Sequence, residues 1–188
     1  SLTSITNTRS IQANVSAKAD GSAITGKATA IDVSANTSGV TFTQKGIAGT
    51  ATTADPDTDG DGVTDLREPT TFGDIKLGSG ADLLDIQNGV VVGDISFGAG
   101  ADRLSISGGS VVRGAITNTD GLLDIDISKG TLDARQSGVT AISNLNIGAD
   151  GDLIVTLDPA VGGNSGFKVN GAANIATGAG LGVRFNSL

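Results

Sequence analysis

The chain has 188 residues, with 29 glycines, 38% hydrophobic residues, a net charge of −8, and no cysteine, histidine or tyrosine. Its length suits one domain with a buried core, and its hydrophobic content argues against intrinsic disorder. The acidic balance disfavours a nucleic-acid partner, and the missing residue types remove the usual general bases and nucleophile pairs, so we expect no enzymatic activity.

We expect the chain to be a piece of a longer precursor. No methionine opens the chain, and no basic segment followed by an apolar run precedes Ser1. No apolar run approaches the ~18 residues that a membrane span needs.

Residues 1–54 alternate short, strand-like segments with polar corners, as in SIQANVSA and GVTFTQKG. Two glycine-rich returns, at Gly26 and Gly46, are 20 residues apart. We predict that residues 1–54 form β-helix coils of about that length.

Residues 55–69, DPDTDGDGVTDLREP, form an acidic loop with the spacing of a calcium-binding loop, D-x-D-x-D-G-x₅-E. Calcium needs roughly six to eight oxygen ligands around a tight turn, and this spacing supplies alternating carboxylates, a glycine and a terminal glutamate. The predicted ligands are Asp57, Asp59, Asp61, the carbonyl of Val63, Asp65 and Glu68. We expect that Asp55 does not coordinate the calcium ion.

The flanks of the acidic loop differ from those of an EF-hand. The preceding ATTADP cannot form a helix, and Pro69 ends any turn that begins at Leu66. The DxDxDGxxD core is similar to calcium loops of thrombospondin type 3 and dockerin modules. The alternative is a solvated acidic linker that binds no cation.

Residues 70–143 carry the clearest repeat. GDIKLGSGADLLDI from Gly73 is followed by GDISFGAGADRLSI from Gly93, a period of 20 residues. Such short units cannot bury an apolar face alone, so they must stack as a parallel β-helix, which the crossover rule predicts to be right-handed. Ile75 should then align with Ile95, and Leu84 with Leu104.

The repeated GSGAD and GAGAD corners contain Asp82 and Asp102. They partly match calcium-binding β-roll repeats, which recur every nine residues, whereas the spacing here is 20. We therefore expect these aspartates to cap turns by accepting hydrogen bonds from backbone amides.

Residues 144–188 depart from the repeat, with longer alternating segments and a break at Pro159 and Gly162–Gly163. We predict a C-terminal β cap. Its expected core consists of Leu153, Val155, Leu157, Phe167, Val169, Leu181, Val183 and Phe185.

The units from Gly73 and Gly93, followed by SNLNIGADGDLIVTLDP and VNGAANIATGAGLGVRF, resemble the C-terminal part of bacterial autotransporter passenger domains. The resemblance covers nearly the whole chain and is sharpest over residues 73–188. It implies a right-handed β-helix with an autochaperone-like cap, followed in the precursor by an outer-membrane β-barrel.

The expected function is a non-enzymatic, calcium-stabilised stalk and folding nucleus of a secreted bacterial surface protein. Its expected partners are a calcium ion and the downstream outer-membrane β-barrel of the same precursor, with no nucleic acid and a monomeric state. The expected location is the extracellular face of the outer membrane or the medium. The alternative is a carbohydrate- or surface-binding β-helix, either an adhesin or a polysaccharide-active protein.

Overall fold

The computed structural model describes residues 2–16, 19–22, 26–158 and 163–185. Within those ranges the chain forms β-strands and one turn of 3₁₀ helix at Asp65–Arg67, and it contains no α-helix. Strands that are distant in sequence pair in parallel, which stacks successive turns of the chain on one another. The all-β prediction is confirmed, and the architecture is that of a parallel β solenoid.

Each of the first four coils contributes one short strand to each of three faces. Coil by coil, with the strands of the first, second and third face in that order, they are β1 (Ser4–Asn7), β2 (Ser10–Gln12) and β3 (Thr29–Asp32); β4 (Thr41–Gln44), β5 (Thr70–Phe72) and β6 (Asp74–Lys76); β7 (Leu83–Ile86), β8 (Val90–Val92) and β9 (Ile95–Phe97); and β10 (Arg103–Ile106), β11 (Ser110–Gly114) and β12 (Ile116–Asn118).

In the later coils two longer strands run round the corner between the first and second faces, and the other strands stay short. The strands of these coils are β13 (Asp124–Ala134) and β14 (Val139–Ile142); β15 (Asn144–Asp158), β16 (Gly163–Asn164) and β17 (Gly166–Val169); and β18 (Ala173–Ile175) and β19 (Gly180–Phe185). The two longer ones are β13 and β15. A register irregularity between Ile127 and Lys129 marks the corner in β13. β16 pairs antiparallel with β15, while the other strand pairs are parallel within the described residues.

The register of the coils confirms the predicted alignment of the repeats. Ile75 pairs with Ile95, and Leu84 pairs with Leu104. Side chains at equivalent positions therefore lie about 4.8 Å apart in columns. One such column of the first face runs through Phe42, Leu84, Leu104, Ile125 and Leu145.

These columns form one continuous hydrophobic core along the solenoid axis. Its fully buried members are mostly isoleucine, leucine and phenylalanine, including Phe42, Phe97, Ile75, Ile95 and Ile116. Burying one such side chain stabilises the folded state by about 1.5–3 kcal/mol, and alternation along each strand leaves the outward positions for polar residues.

The prediction of 20-residue coils is wrong for the first coil. Ser4 pairs with Thr41, so this coil takes in a much longer connection than the repeats from Gly73 onwards. The returns at Gly26 and Gly46 are not equivalent positions, because β3 follows Gly26 whereas no strand follows Gly46 until β5.

Coil two is interrupted by residues 45–69, which we call the insertion. They connect β4 to β5 and occupy the place that Gln87–Gly89 take in coil three. The insertion therefore includes the predicted acidic loop of residues 55–69 and begins ten residues before it. Both ends of the insertion are fixed by ladders, because β4 pairs with β7 and β5 pairs with β8.

The ladders continue across residue 144, where the cap was predicted to begin. Asn144–Ile147 pair in register with Asp124–Ile127, so the segment starts as a further coil. Leu153 is buried, and Val155, Phe167 and Val169 pack against the core. Of the predicted break at Pro159 and Gly162–Gly163, Pro159 and Gly162 lie outside the described residues, and Gly163 begins β16.

The prediction that Leu181, Val183 and Phe185 are buried is wrong, because their exposed fractions are 63%, 53% and 56%. They align with Leu153, Val155 and Leu157 and thus continue the interior columns. No further strand pairs with the outer edge of β19 in the described part of the chain, so these side chains lie at the open end of the stack.

Candidate metal centre

The insertion folds back onto the corner between the first and second faces. Gly89 and Gly109 occupy this corner with φ of +73° each, a backbone conformation that favours glycine. A β-carbon at Gly109 would collide with Asp59 Oδ2, and one at Gly89 would collide with the Pro69 carbonyl and lie 3.0 Å from Glu68 Oε2. The insertion can approach the solenoid because these two positions lack side chains.

Asp57 organises the tight turn of the acidic loop. Its Oδ1 accepts hydrogen bonds from the amides of Gly60 (2.8 Å) and Asp61 (3.1 Å), and its Oδ2 accepts one from Gly62 (3.0 Å). Gly60 and Gly62 have positive φ, so the turn depends on glycine at both positions. The loop is preorganised around the Asp57 carboxylate by its own backbone.

Three of the predicted ligands converge. Asp57, Asp59 and Asp61 each bring one carboxylate oxygen within 4.8 Å of the others. Asp61 Oδ1 accepts a hydrogen bond from the Val63 amide at 2.8 Å, which holds the carboxylate against its own loop.

Asn88 and Lys129 anchor the triad to the solenoid. The Asn88 amide nitrogen donates to Asp61 Oδ2, while Asn88 Oδ1 accepts from the Gly46 amide at 2.8 Å. Lys129 Nζ donates to the carbonyl oxygen of Asp59 at 2.7 Å. Sequence reasoning missed both residues because they lie in later coils and match no motif. Only the coil register brings them to this corner.

Glu68 carries the least satisfied polar atom of the site. Its Oε2 is buried and accepts no hydrogen bond from any group in the described residues. Burial, followed by the negative charges of Asp61 and Asp59, raises the pKa of Glu68 to about 7. An anionic oxygen buried without a donor is costly, so this atom fits a cation or a proton as its partner.

The remaining predicted ligands lie around the triad. Asp65 shares a cavity of about 220 Å³ with Asp59 and Glu68. Asp65 Oδ1 accepts hydrogen bonds from the Thr58 amide (3.0 Å) and hydroxyl (3.2 Å). Val63 is buried and packs against Gly46, where no side chain would fit. Asp65 and Glu68 are therefore near the triad without belonging to its close-packed oxygens.

Asp55 lies outside the triad, held by other contacts. Its Oδ2 accepts from the Thr64 hydroxyl at 2.6 Å, and its Oδ1 accepts from the Leu66 amide at 2.9 Å. These hydrogen bonds lower the pKa of Asp55. Asp55 thus fastens the turn of 3₁₀ helix at the end of the loop.

The loop crowds hard, anionic oxygens in one place. This crowding disfavours the ionised form of Asp59, because burial and the neighbouring negative charge of Asp61 raise its pKa. Carboxylate and carbonyl oxygens are the ligands that calcium prefers, and each carboxylate oxygen that accepts one hydrogen bond retains further acceptor capacity. The residues present therefore fit a divalent hard cation, with Glu68 Oε2 as the atom that most needs one.

Asp82 and Asp102 cap the corner that leads into the first face, as predicted. Asp82 Oδ1 accepts from the Val40 amide at 2.7 Å, and Asp102 Oδ1 accepts from the Asp82 amide at 2.8 Å. Each carboxylate thus bonds to the preceding coil. Their Oδ2 atoms are buried and have no hydrogen-bond partner among the residues described.

Comparison with protein-family models, with curated proteins and with solved structures gives no match for this chain. Over the described ranges, the structure has no helix with the length and apolar character to cross a membrane.

Proposed function

We propose that this chain is a non-enzymatic structural segment of a secreted bacterial surface protein, in which one calcium ion fastens the insertion to a right-handed parallel β-helix. The proposed ligands are the carboxylates of Asp57, Asp59, Asp61 and Asp65, the carbonyl of Val63 and both oxygens of Glu68. Calcium supplies positive charge that neutralises the crowded carboxylates.

The observation that carries the calcium proposal is Glu68 Oε2. This buried oxygen lacks a donor, and Glu68 lines a cavity together with Asp59 and Asp65. A solvated linker would leave its carboxylates in water, whereas this one is turned inward against Gly89. The inward position makes a cation a better explanation than mere solubility.

Two arguments support the stalk. The continuous apolar columns and stacked ladders favour a rigid elongated scaffold, because each coil contacts mainly its neighbours. The resemblance of residues 73–188 to autotransporter passengers supports a position upstream of an outer-membrane β-barrel, at the cell surface or in the medium after release. Right-handedness follows from the crossover preference of parallel strands.

The proposed role of residues 144–188 is that of an autochaperone-like cap on the C-terminal side of the coils. They carry the longest strand, β15, which pairs with β13 across both the first and second faces. A segment that pairs over this length offers a template on which preceding coils can form, because an existing edge removes part of the entropic cost of adding a strand.

The calcium proposal is tested by thermal unfolding of the wild type and Glu68→Gln, each in calcium and in chelator. Calcium at about tenfold excess over its dissociation constant should stabilise the wild type by about 1.4 kcal/mol. This corresponds to a rise of about 3–6 °C in the unfolding midpoint for a chain of this size. Glu68→Gln should lose most of that rise.

The matched control is Asp32→Asn, which removes one carboxylate from an exposed position in β3, on the third face. It should retain the calcium-dependent rise. An unchanged wild-type midpoint in chelator would leave the acidic loop as a solvated linker.

A further inference from the structure

Three arginines converge on one buried carboxylate, on the second face and away from the insertion. Asp133 is 1% exposed and accepts hydrogen bonds from Arg113 Nε (3.1 Å), Arg135 Nη2 (2.9 Å) and Arg184 Nη1 (2.7 Å). The arginines come from three parts of the fold: β11, the turn after β13, and β19. We call these four residues the arginine cluster.

The arginine cluster carries an excess of positive charge. Burial raises the pKa of Asp133, but the hydrogen bonds and charges of Arg135 and Arg184 outweigh it and hold this pKa below its ordinary value. Asp133 is therefore an anion, and three guanidinium groups against one carboxylate leave two positive charges. This concentration stands out in a chain whose net charge is −8.

The guanidinium groups also retain unused donors. Each guanidinium has five N–H groups, and one carboxylate has too few acceptor positions for all three. The side chains of Arg113, Arg135 and Arg184 are 43%, 45% and 33% exposed, so part of each faces solvent. The groups are fixed by Asp133 and yet remain accessible, which is the arrangement that recognition by arginine needs.

A cavity of about 430 Å³ lies beside the cluster, at the corner between the second and third faces. Arg113 and Arg135 line it, together with Ser137 and the backbone of Gly93 and Gly114. Glycine at position 114 lets the two coils stack closely here, since a β-carbon at Gly114 would collide with the carbonyl of Gly93. Lys27 and Asp94 also line the cavity, and because they form an ion pair they add no net charge to it.

We propose that this cavity binds an oxyanion, a phosphate or sulfate group, between Arg113 and Arg135. Planar guanidinium groups match the oxygen geometry of these anions, and charge-assisted hydrogen bonds to them are stronger than neutral ones. The cavity has room for a group larger than the free ion, so the ligand class is a phosphate or sulfate ester. This inference is independent of the calcium proposal.

The competing explanation is an internal ion-pair network. Arg184 lies in β19, and its contact with Asp133 ties the last coil to the fifth. If the network serves only this purpose, substitutions in it should change the stability of the protein, and added anions should not bind to it. Arg113 and Arg135, which line the cavity, separate the two explanations better than Arg184.

The test titrates the full chain with sodium sulfate and with sodium phosphate, against sodium chloride at matched ionic strength. Calorimetry measures the affinity, and the side-chain ¹⁵Nε signals of ¹⁵N-labelled protein report the arginines involved. We expect saturable binding that moves the Arg113 and Arg135 signals. Arg113→Gln and Arg135→Gln should each weaken binding by about tenfold or more, the loss expected for a charge-assisted hydrogen bond.

Arg103→Gln is the matched control, because Arg103 also pairs with an aspartate, Asp126, at 2.8 Å but lies on the first face. It should leave the affinity unchanged. Arg135→Lys keeps the charge and loses the planar fork, so it tests the site if the glutamine variants unfold; its affinity should fall while its unfolding midpoint stays close to that of the wild type.

Titrations with methyl phosphate and with methyl sulfate then show whether the site prefers a phosphate ester or a sulfate ester. Saturable binding of either ester supports the proposal. The proposal is overturned if sulfate and phosphate act no differently from chloride, or if Arg103→Gln weakens binding as much as Arg135→Gln.

Discussion

At the scale of single residues, the corners of the solenoid carry the polar chemistry. Asn88, Asp82 and Asp102 are each buried, and each joins coils through hydrogen bonds that its type can make in the interior. The strands between the corners supply the apolar columns. Substitutions at corners should therefore act through specific bonds and charges, whereas substitutions in strands should act through packing.

Gly109→Ala tests how the insertion docks. The new β-carbon would collide with Asp59 Oδ2, and the positive φ adds strain of about 1 kcal/mol. We expect a lower stability and, in addition, loss of the stabilisation by calcium, measured by denaturant unfolding with calcium and with chelator.

The matched control is Gly138→Ala. Gly138 also has a positive φ (+105°), but a β-carbon there meets no atom within 4 Å. This variant should show the backbone strain alone and keep its response to calcium. An equal calcium response in both variants would show that Asp59 is not a ligand.

Asp102 should make stability depend on pH. Burial, with Asp82 and Asp120 as neighbouring negative charges, raises the pKa of Asp102 from its ordinary 3.8 to about 6. The folded state then binds more protons than the unfolded state between these values, so stability falls as pH rises through this window. A shift of this size corresponds to at most about 3 kcal/mol.

In Asp102→Asn the side chain at position 102 is neutral at every pH, so this variant should not lose stability in this way as the pH rises. In chelator, its free energy of unfolding should therefore rise relative to the wild type between about pH 4 and about pH 7. Asp32→Asn is the control, because hydrogen bonds from Ser34 hold the pKa of Asp32 below its ordinary value and below this window. Wild-type and Asp102→Asn curves that run parallel across this range would contradict the burial argument.

At the scale of elements, β13 and β15 hold the C-terminal half together. Each spans two faces, and their ladder covers Asp124–Ile127 and Lys129–Asp133 of β13. A deletion of residues 144–188 would remove this partner and expose the interior columns at Ile125, Ile127 and Leu132, which are now buried. Unpaired strand edges beside an apolar cross-section favour aggregation.

We therefore expect fragment 1–143 to aggregate or to remain unfolded, as measured by size-exclusion chromatography and circular dichroism, while the full chain is monomeric. A monomeric fragment 1–143 with a cooperative unfolding transition would show that residues 144–188 are dispensable for folding.

At the scale of the whole molecule, the sequence predicts the solenoid where the repeat is tight. Ile75 and Ile95 could be paired in advance, because near-identical units stack in register. The first coil could not be predicted in this way, since its long connections hide the equivalence of Ser4 and Thr41. Alternation predicted the direction of Leu181, Val183 and Phe185, but not that the end of the stack leaves them exposed.

The candidate metal site, like the fold, could be predicted from the sequence only in part. Local spacing identifies Asp57, Asp59 and Asp61, because their convergence depends on a short turn. The docking partners Asn88, Gly109 and Lys129 depend on the coil register, and no local pattern indicates them. The arginine cluster was missed for the same reason, since Arg113, Asp133 and Arg184 are distant in sequence.

The central claim is that calcium binds the insertion and fastens it to the solenoid. The most direct measurement is isothermal titration calorimetry of the chelator-treated full chain with calcium chloride, with magnesium chloride as the comparison. We predict one calcium per chain with a dissociation constant of roughly 10⁻⁴–10⁻³ M, the range of extracellular calcium modules, and loss of that heat in Glu68→Gln. The absence of saturable calcium binding at millimolar concentrations, or an undiminished titration of Glu68→Gln, would contradict it.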